Sequence, residues 1–199
     1  MRILIGGAFA ATVLALQTVP AQPPAAAAPA ATPHYGLDPA KSSLEFTFMQ
    51  AGAANKGRFT RLQVAFDFSA ENLAASRLDV TIEMSSADTG DQERDDTLKG
   101  ADLFAVAKFP QAHFTASQID RTASGYEAVG KLTLRGVTRD ARVPFSFRTA
   151  TENGAAVGYM SGKTSVRRLD YGVGQGDWKA TDQVGNDVPV SFALRLIAH

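Results

Sequence analysis

The chain has 199 residues, and its 20 Lys and Arg balance 20 Asp and Glu to a formal net charge of zero. Such a chain has no basic field with which to hold nucleic acid, so nucleic acid is not expected as a partner. Cysteine is absent, which excludes disulfides, thiolate catalysis, Cys-ligated metal and a lipidated N-terminal cysteine.

Residues 1–21 read as a signal peptide. Arg2 precedes an apolar run from Ile3 to Leu16, and Val19-x-Ala21 supplies the small-x-small pattern before cleavage. The mature chain then begins near Gln22. An uncleaved anchor is the alternative, although the run is short for a membrane span. Residues 22–34 form a Pro/Ala-rich linker with nothing to bury. Export places the mature protein in the periplasm or outside the cell.

From residue 35 to 199 apolar and polar residues mostly alternate, the signature of half-buried strands. Leu62, Val64, Phe66 and Phe68 make one apolar face; Leu78, Val80, Ile82 and Met84 make another; Val188, Val190, Phe192, Leu194 and Leu196 make a third. Eight strands are predicted, at 43–50, 59–68, 77–85, 111–119, 126–134, 138–148, 156–167 and 188–197. Pro144 implies an edge or a bulge. Ser124-Gly125, Arg135-Gly136 and Asn153-Gly154 are hairpin turns, so neighbouring strands run antiparallel. The fold class is all-β, an antiparallel barrel or sandwich.

The stretch 89–110 breaks the alternation. Thr89-Gly-Asp-Gln92 has capping-box spacing and predicts a helix start. Leu98 points inward, Gly100 stops the helix, and Asp102 caps a second short turn carrying Leu103, Phe104 and Val106 before Pro110. An insert with one apolar side needs a surface to cover. Pattern alone leaves open whether that surface is an ordinary core or the open end of a barrel.

Other motifs carry less. Gly172 to Gly176 reads G-x-G-x-G with no following helix, so these are turn glycines and not a dinucleotide loop. Trp178 in the next loop is expected to plug a barrel end, with stacking on a ligand as the alternative. Asp95 and Asp96 are explained by a solvated helix start near the positive end of its dipole. The three histidines, His34, His113 and His199, are scattered and make no metal-ligand spacing, so no metal site is expected. No catalytic residue is assigned.

Several separated motifs together resemble the YceI-like family of secreted bacterial proteins: "SSADTG…RDDTLKGADLFAVAKFPQAHFTAS", "GKLTLRGVTRDARVPFSF", "VRRLDYGVG" and "VGNDVPVSFAL". The resemblance spans residues 35 to 198. It implies an eight-stranded lipocalin-like barrel with a short helical insert, holding an isoprenoid or a quinone-like lipid and needing no other cofactor. The partners it implies are an amphiphilic lipid and, transiently, the inner membrane. Thr97 stands where many members have histidine, so a metal or head-group role of that histidine does not carry over. Under this resemblance the cavity lining comes from Phe46, Phe48, Phe66, Phe68, Val80, Ile82, Leu103, Phe104, Phe114, Leu132, Leu134, Phe145, Phe147, Phe192 and Leu194. Arg94 and Arg168 lie within the family-like motifs and are head-group candidates, with Arg167 and Lys179 nearby. Ordinary surface pairing with Asp95, Asp96, Asp170 or Asp177 is the competing account of these cations. The function expected is lipid carriage or sequestration. An enzyme acting on a lipid in the same cavity and an interaction module for a membrane redox protein are the alternatives.

Overall fold

A two-residue alternation puts every apolar side chain of a strand on one face, and a sheet with one apolar face buries it by closing on itself. The computed structural model describes residues 32–199; the expected signal peptide and residues 22–31 of the linker lie outside the described residues. Among the described residues there are eleven strands: β1 (His34–Leu37), β2 (Ser43–Gln50), β3 (Ala53–Phe59), β4 (Leu62–Asp67), β5 (Arg77–Glu83), β6 (Ala87–Asp88), β7 (Gln111–Thr122), β8 (Gly125–Leu134), β9 (Val137–Glu152), β10 (Ala155–Arg167) and β11 (Asp187–Ala198). All pairings are antiparallel. Eight strands form a closed ring in the order β1-β4-β5-β7-β8-β9-β10-β11, completed by pairing of β1 with β11.

Ring membership differs from the sequence expectation in one strand. The four residues of β1 complete the ring, whereas β2 lies beside it and pairs with β11 at Ser43 to Phe46. β3 and β6 then continue from β2. β6 follows β5 through a 3-10 turn at Met84–Ser86. The wall thus closes through β1 toward one end and through β2, β3 and β6 toward the other. β3 has no apolar alternation to announce it. The β2–β3 turn is Ala51-Gly52 with φ of 48° and 79°, and alanine is not a residue that signals positive φ.

Arg135-Gly136 and Asn153-Gly154 are hairpin turns with positive φ at both residues. The third turn sits one residue earlier than expected, at Ala123-Ser124. Pro144 is not on an edge strand, since β9 has neighbours on both sides. The β9–β10 ladder, however, stops at Phe145 opposite Gly162, one residue short of Pro144, which has no N–H to donate.

The insert contains one helix, α1 (Gln92–Lys99), followed by turns. Asp91 is the N-cap, in place of the expected Thr89: its side chain accepts from the Arg94 N–H. The Thr89 hydroxyl and N–H instead donate to Asp95 Oδ1 at 2.7 and 2.8 Å. Asp95 is therefore buried and not solvated as expected; it ties the helix to the end of β6. Gly100 ends the helix. Residues 101–108 form turns without a second helix, and Asp102 contributes its carbonyl, which accepts from the Gly174 and Gln175 N–H groups.

The closed end of the barrel is filled. Tyr35, Phe66, Phe68, Tyr126, Phe145 and Phe147 form a continuous aromatic group with ring centroids 4.8 to 6.3 Å apart. Edge-to-face geometry dominates it, as the ring quadrupoles favour.

Candidate functional site: an apolar cavity beneath the helical insert

A cavity of about 850 Å³ lies within the barrel, toward the upper end of the volumes typical of small-molecule sites. Its walls are the inward faces of the strands. Phe46, Phe48, Val80, Ile82, Phe114, Leu132, Leu134, Phe192 and Leu194 line it, with Leu103 and Phe104 from the insert. Leu44, Leu62, Leu78, Val188 and Val190 belong to the same apolar faces and line it too. Simple alternation already marks them. Phe59, Tyr171, Val173, Trp178 and Val184 also contribute. Their side chains come from loops or from a strand without alternation, so no periodic signal identifies them.

Four expected lining residues are elsewhere. Phe66, Phe68, Phe145 and Phe147 belong to the aromatic fill of the closed end. Alternation records which face a residue is on, not how far along the barrel it lies, so filled and empty sections share one pattern.

The insert and the segment after β10 cover the cavity together. Leu103, Tyr171 and Val173 are buried against one another, with Leu98, Phe104 and Trp178 packed on them. Phe104 faces Phe59 at 6.0 Å between ring centroids. Val106 is not in the lining. Burial pushes the Tyr171 phenol pKa up from its ordinary value.

Arg168, expected as a head-group candidate, borders the cavity but turns its donors to the protein itself. It is 4% exposed, and its guanidinium donates to five carbonyls. Nε reaches Gly185 O at 3.0 Å, Nη1 reaches Val173 O at 2.9 and Trp178 O at 2.7 Å, and Nη2 reaches Val184 O at 2.7 and Ala180 O at 3.4 Å. All five donors are used. Desolvation lowers its pKa from the usual arginine value, and the ring of carbonyls favours the charge. Gly174 makes room for it: a Cβ there would lie 2.0 Å from Arg168 Nη1, and the φ of 117° favours glycine. Arg168 thus pins the covering segment. Arg94 on α1 also borders the cavity, and its side chain has no hydrogen-bond partner among the described residues. Arg167 borders it and pairs with Asp170 at 3.0 Å. Lys179 is exposed and does not border it. Thr97, in the family's histidine position, borders the cavity, and its hydroxyl donates to Glu93 O. Among the described residues no group of three or more potential ligands could hold a metal ion.

A closed antiparallel ring with an apolar cavity and a helical cover defines a cavity-bearing barrel of the lipocalin-like kind. The chain belongs to the YceI-like domain family, whose model matches residues 35–196. It is similar to a UPF0312 protein of Yersinia enterocolitica, with 39% identity over 106 residues, 53% of this chain and 55% of that protein; the match thus spans about half the length of such relatives. Among solved structures, Burkholderia cenocepacia BcnA superposes with a TM-score of 0.73 and 32% identity, covering 80% of this chain and 98% of that one. A polyisoprenoid binding domain from Saccharophagus degradans superposes with a TM-score of 0.61 at 20% identity, covering 83% and 98%. The YceI protein of Campylobacter jejuni gives 0.62 at 23%, covering 73% and 85%. These last two likenesses concern the fold.

Proposed function

We propose that the protein carries or sequesters a long-chain amphiphilic lipid, an isoprenoid or a quinone-like molecule, as a binding protein and not as an enzyme. The observation that carries this reading is the 850 Å³ cavity walled by aliphatic and aromatic side chains. Apolar burial contributes about 0.8 kcal/mol per methylene, so a dozen carbons supply on the order of 10 kcal/mol. That offsets an association cost of roughly 4–15 kcal/mol without any specific hydrogen bond to the tail. A polyisoprenoid-binding relative of the same fold supports the tail chemistry. The N-terminal sequence supports work in the periplasm, in transient contact with the inner membrane from which such a lipid would come.

Mass spectrometry of an organic extract of the purified full chain tests the reading. A stoichiometric long-chain lipid is the expected result. Absence of any lipid, together with failure to bind added farnesol, overturns it, and chemical turnover of the bound lipid would make the protein an enzyme.

A further inference from the structure

The cavity is not confined to the inside of the ring. On β11 only alternate residues line it, Val188, Val190, Phe192 and Leu194, and β5, β7 and β8 behave in the same way. On β9 and β10 the lining is consecutive, residues 139–143 and 164–167. Successive residues of a strand point to opposite faces. Both faces of two adjacent strands can border one cavity only where it passes between them. The ladder agrees: from Pro144 back to Val137, and from Lys163 on to Arg167, β9 and β10 are not paired with each other. A side-chain bond spans the gap instead, from Thr164 Oγ1 to Arg142 O at 3.3 Å.

The rim of this seam has its own chemistry. Arg139 on β9 donates from Nε to Asp170 O at 2.9 Å. Arg167 at the end of β10 donates from Nη2 to Asp170 Oδ1 at 3.0 Å. One residue thus steadies a guanidinium from each side of the gap. The Arg139 Nη groups and Arg167 Nη1 have no partner among the described residues. The other rim charges are paired: Arg142 with Glu127 at 2.6 Å and Asp140 with Lys131 at 2.8 Å. Asp170 and, opposite Arg167 on β11, Asp187 balance the two charges, but neither takes the free Nη groups, which are planar forks suited to phosphate oxygens.

We propose that the β9–β10 seam is a side opening through which an anionic head group, a phosphate or pyrophosphate ester, leaves the barrel, and that Arg139 and Arg167 hold it. The proposal rests on the tail-binding reading above and adds the class of head group and its exit. The test compares farnesyl phosphate with farnesol, which share a tail, on the full chain. Wild type should bind the phosphate at least tenfold tighter than the alcohol. Arg139→Gln/Arg167→Gln should bring the two affinities together and leave that for farnesol unchanged, with an unaltered thermal midpoint. Arg94→Gln, on the helical cover, should keep the preference. Equal binding of both ligands by wild type overturns the proposal, as does a preference that survives the double variant or is lost only in Arg94→Gln. Displacement of farnesyl phosphate by millimolar inorganic phosphate would make the arginines a site for the free anion and equally overturn it. Failure to bind farnesol at all removes the tail-binding reading itself, so the two failures are distinct.

Discussion

Arg168 illustrates how much one buried side chain can organise. Five carbonyls of the segment 173–185 converge on its guanidinium. Removing it leaves those carbonyls facing a cavity without donors, and each buried unsatisfied group costs about 1–3 kcal/mol. Some regain water, so Arg168→Ala is expected to cost about 3 kcal/mol, which lowers Tm by roughly 6–12 °C for a domain of this size. Arg168→Lys should fall nearly as far, because an ammonium has three donors and no planar fork. A differential-scanning trace of each variant checks this; an unchanged Tm would return Arg168 to the ligand. None of this is legible in the sequence. "VRRLDYGVG" shows two adjacent arginines, and only the loop around them decides that Arg168 is buried while Arg167 stays on the rim. Asp95 is a parallel case: a helix-start acid in pattern, a buried tether of Thr89 in the structure.

At the scale of elements, the aromatic fill and the insert divide the barrel's work. Phe66 is fully buried among the rings of the closed end. Phe66→Ala should cost about 3–5 kcal/mol and leave lipid affinity of the folded fraction unchanged, since the cavity lies beyond it; chemical denaturation and a lipid titration measure the two. Phe104 has the opposite profile. It borders the cavity and meets Phe59 across it, so Phe104→Ser should speed lipid release by about tenfold or more, because affinity changes within one interface fall mostly on dissociation. An unchanged off-rate in a protein of lowered Tm would make the insert a mere core cap. Seven of the eight ring strands and the place of the insert are readable, because alternation and hairpin turns are local. β1 and β3 are not. Four residues after a proline-rich stretch carry no periodicity, and "AANKGRF" lacks an apolar face to reveal a strand. The seam escapes notice for a different reason: Pro144 flags an interrupted ladder without saying which neighbour is lost.

The molecule as a whole responds to acid through its surface pairs. Hydrogen bonds from Arg61 hold Glu83 below its ordinary 4.5, the Gly90 N–H and Arg58 hold Asp88 below 3.8, and Lys131 does the same for Asp140. Glu152 is held down by the Tyr159 hydroxyl and then by Arg195, which also meets Asp38 at 2.5 Å. Each carboxylate has a lower pKa folded than unfolded, so the unfolded chain binds more protons in acid. Their contribution is complete above the ordinary carboxylate range and is lost as pH falls through 4.5 and 3.8 toward the folded values. Tm should therefore be level from pH 7 to 5.5 and decline below 4.5, with a shallower decline in Glu152→Gln. A Tm that rises on acidification would contradict these pairs.

The double closure of the wall also sets an order of events. β11 pairs with β10, with β1 near its end and with β2 near its start. Tyr35 lies opposite Ala198, among the earliest and latest residues of the ring. Neither closure can form until the ribosome has delivered β11, and each joins segments separated by most of the barrel's length. Contacts that distant make for slow folding, since a long loop must be closed before any pairing rewards it. Until then the sheet is an open strip with an apolar face and two bare edges, a state prone to association. Deleting residues 187–198 should leave the chain in that open condition, visible as dye-accessible apolar surface and aggregation. A chain that stays open until its last strand arrives is also one that can be threaded across a membrane before it folds.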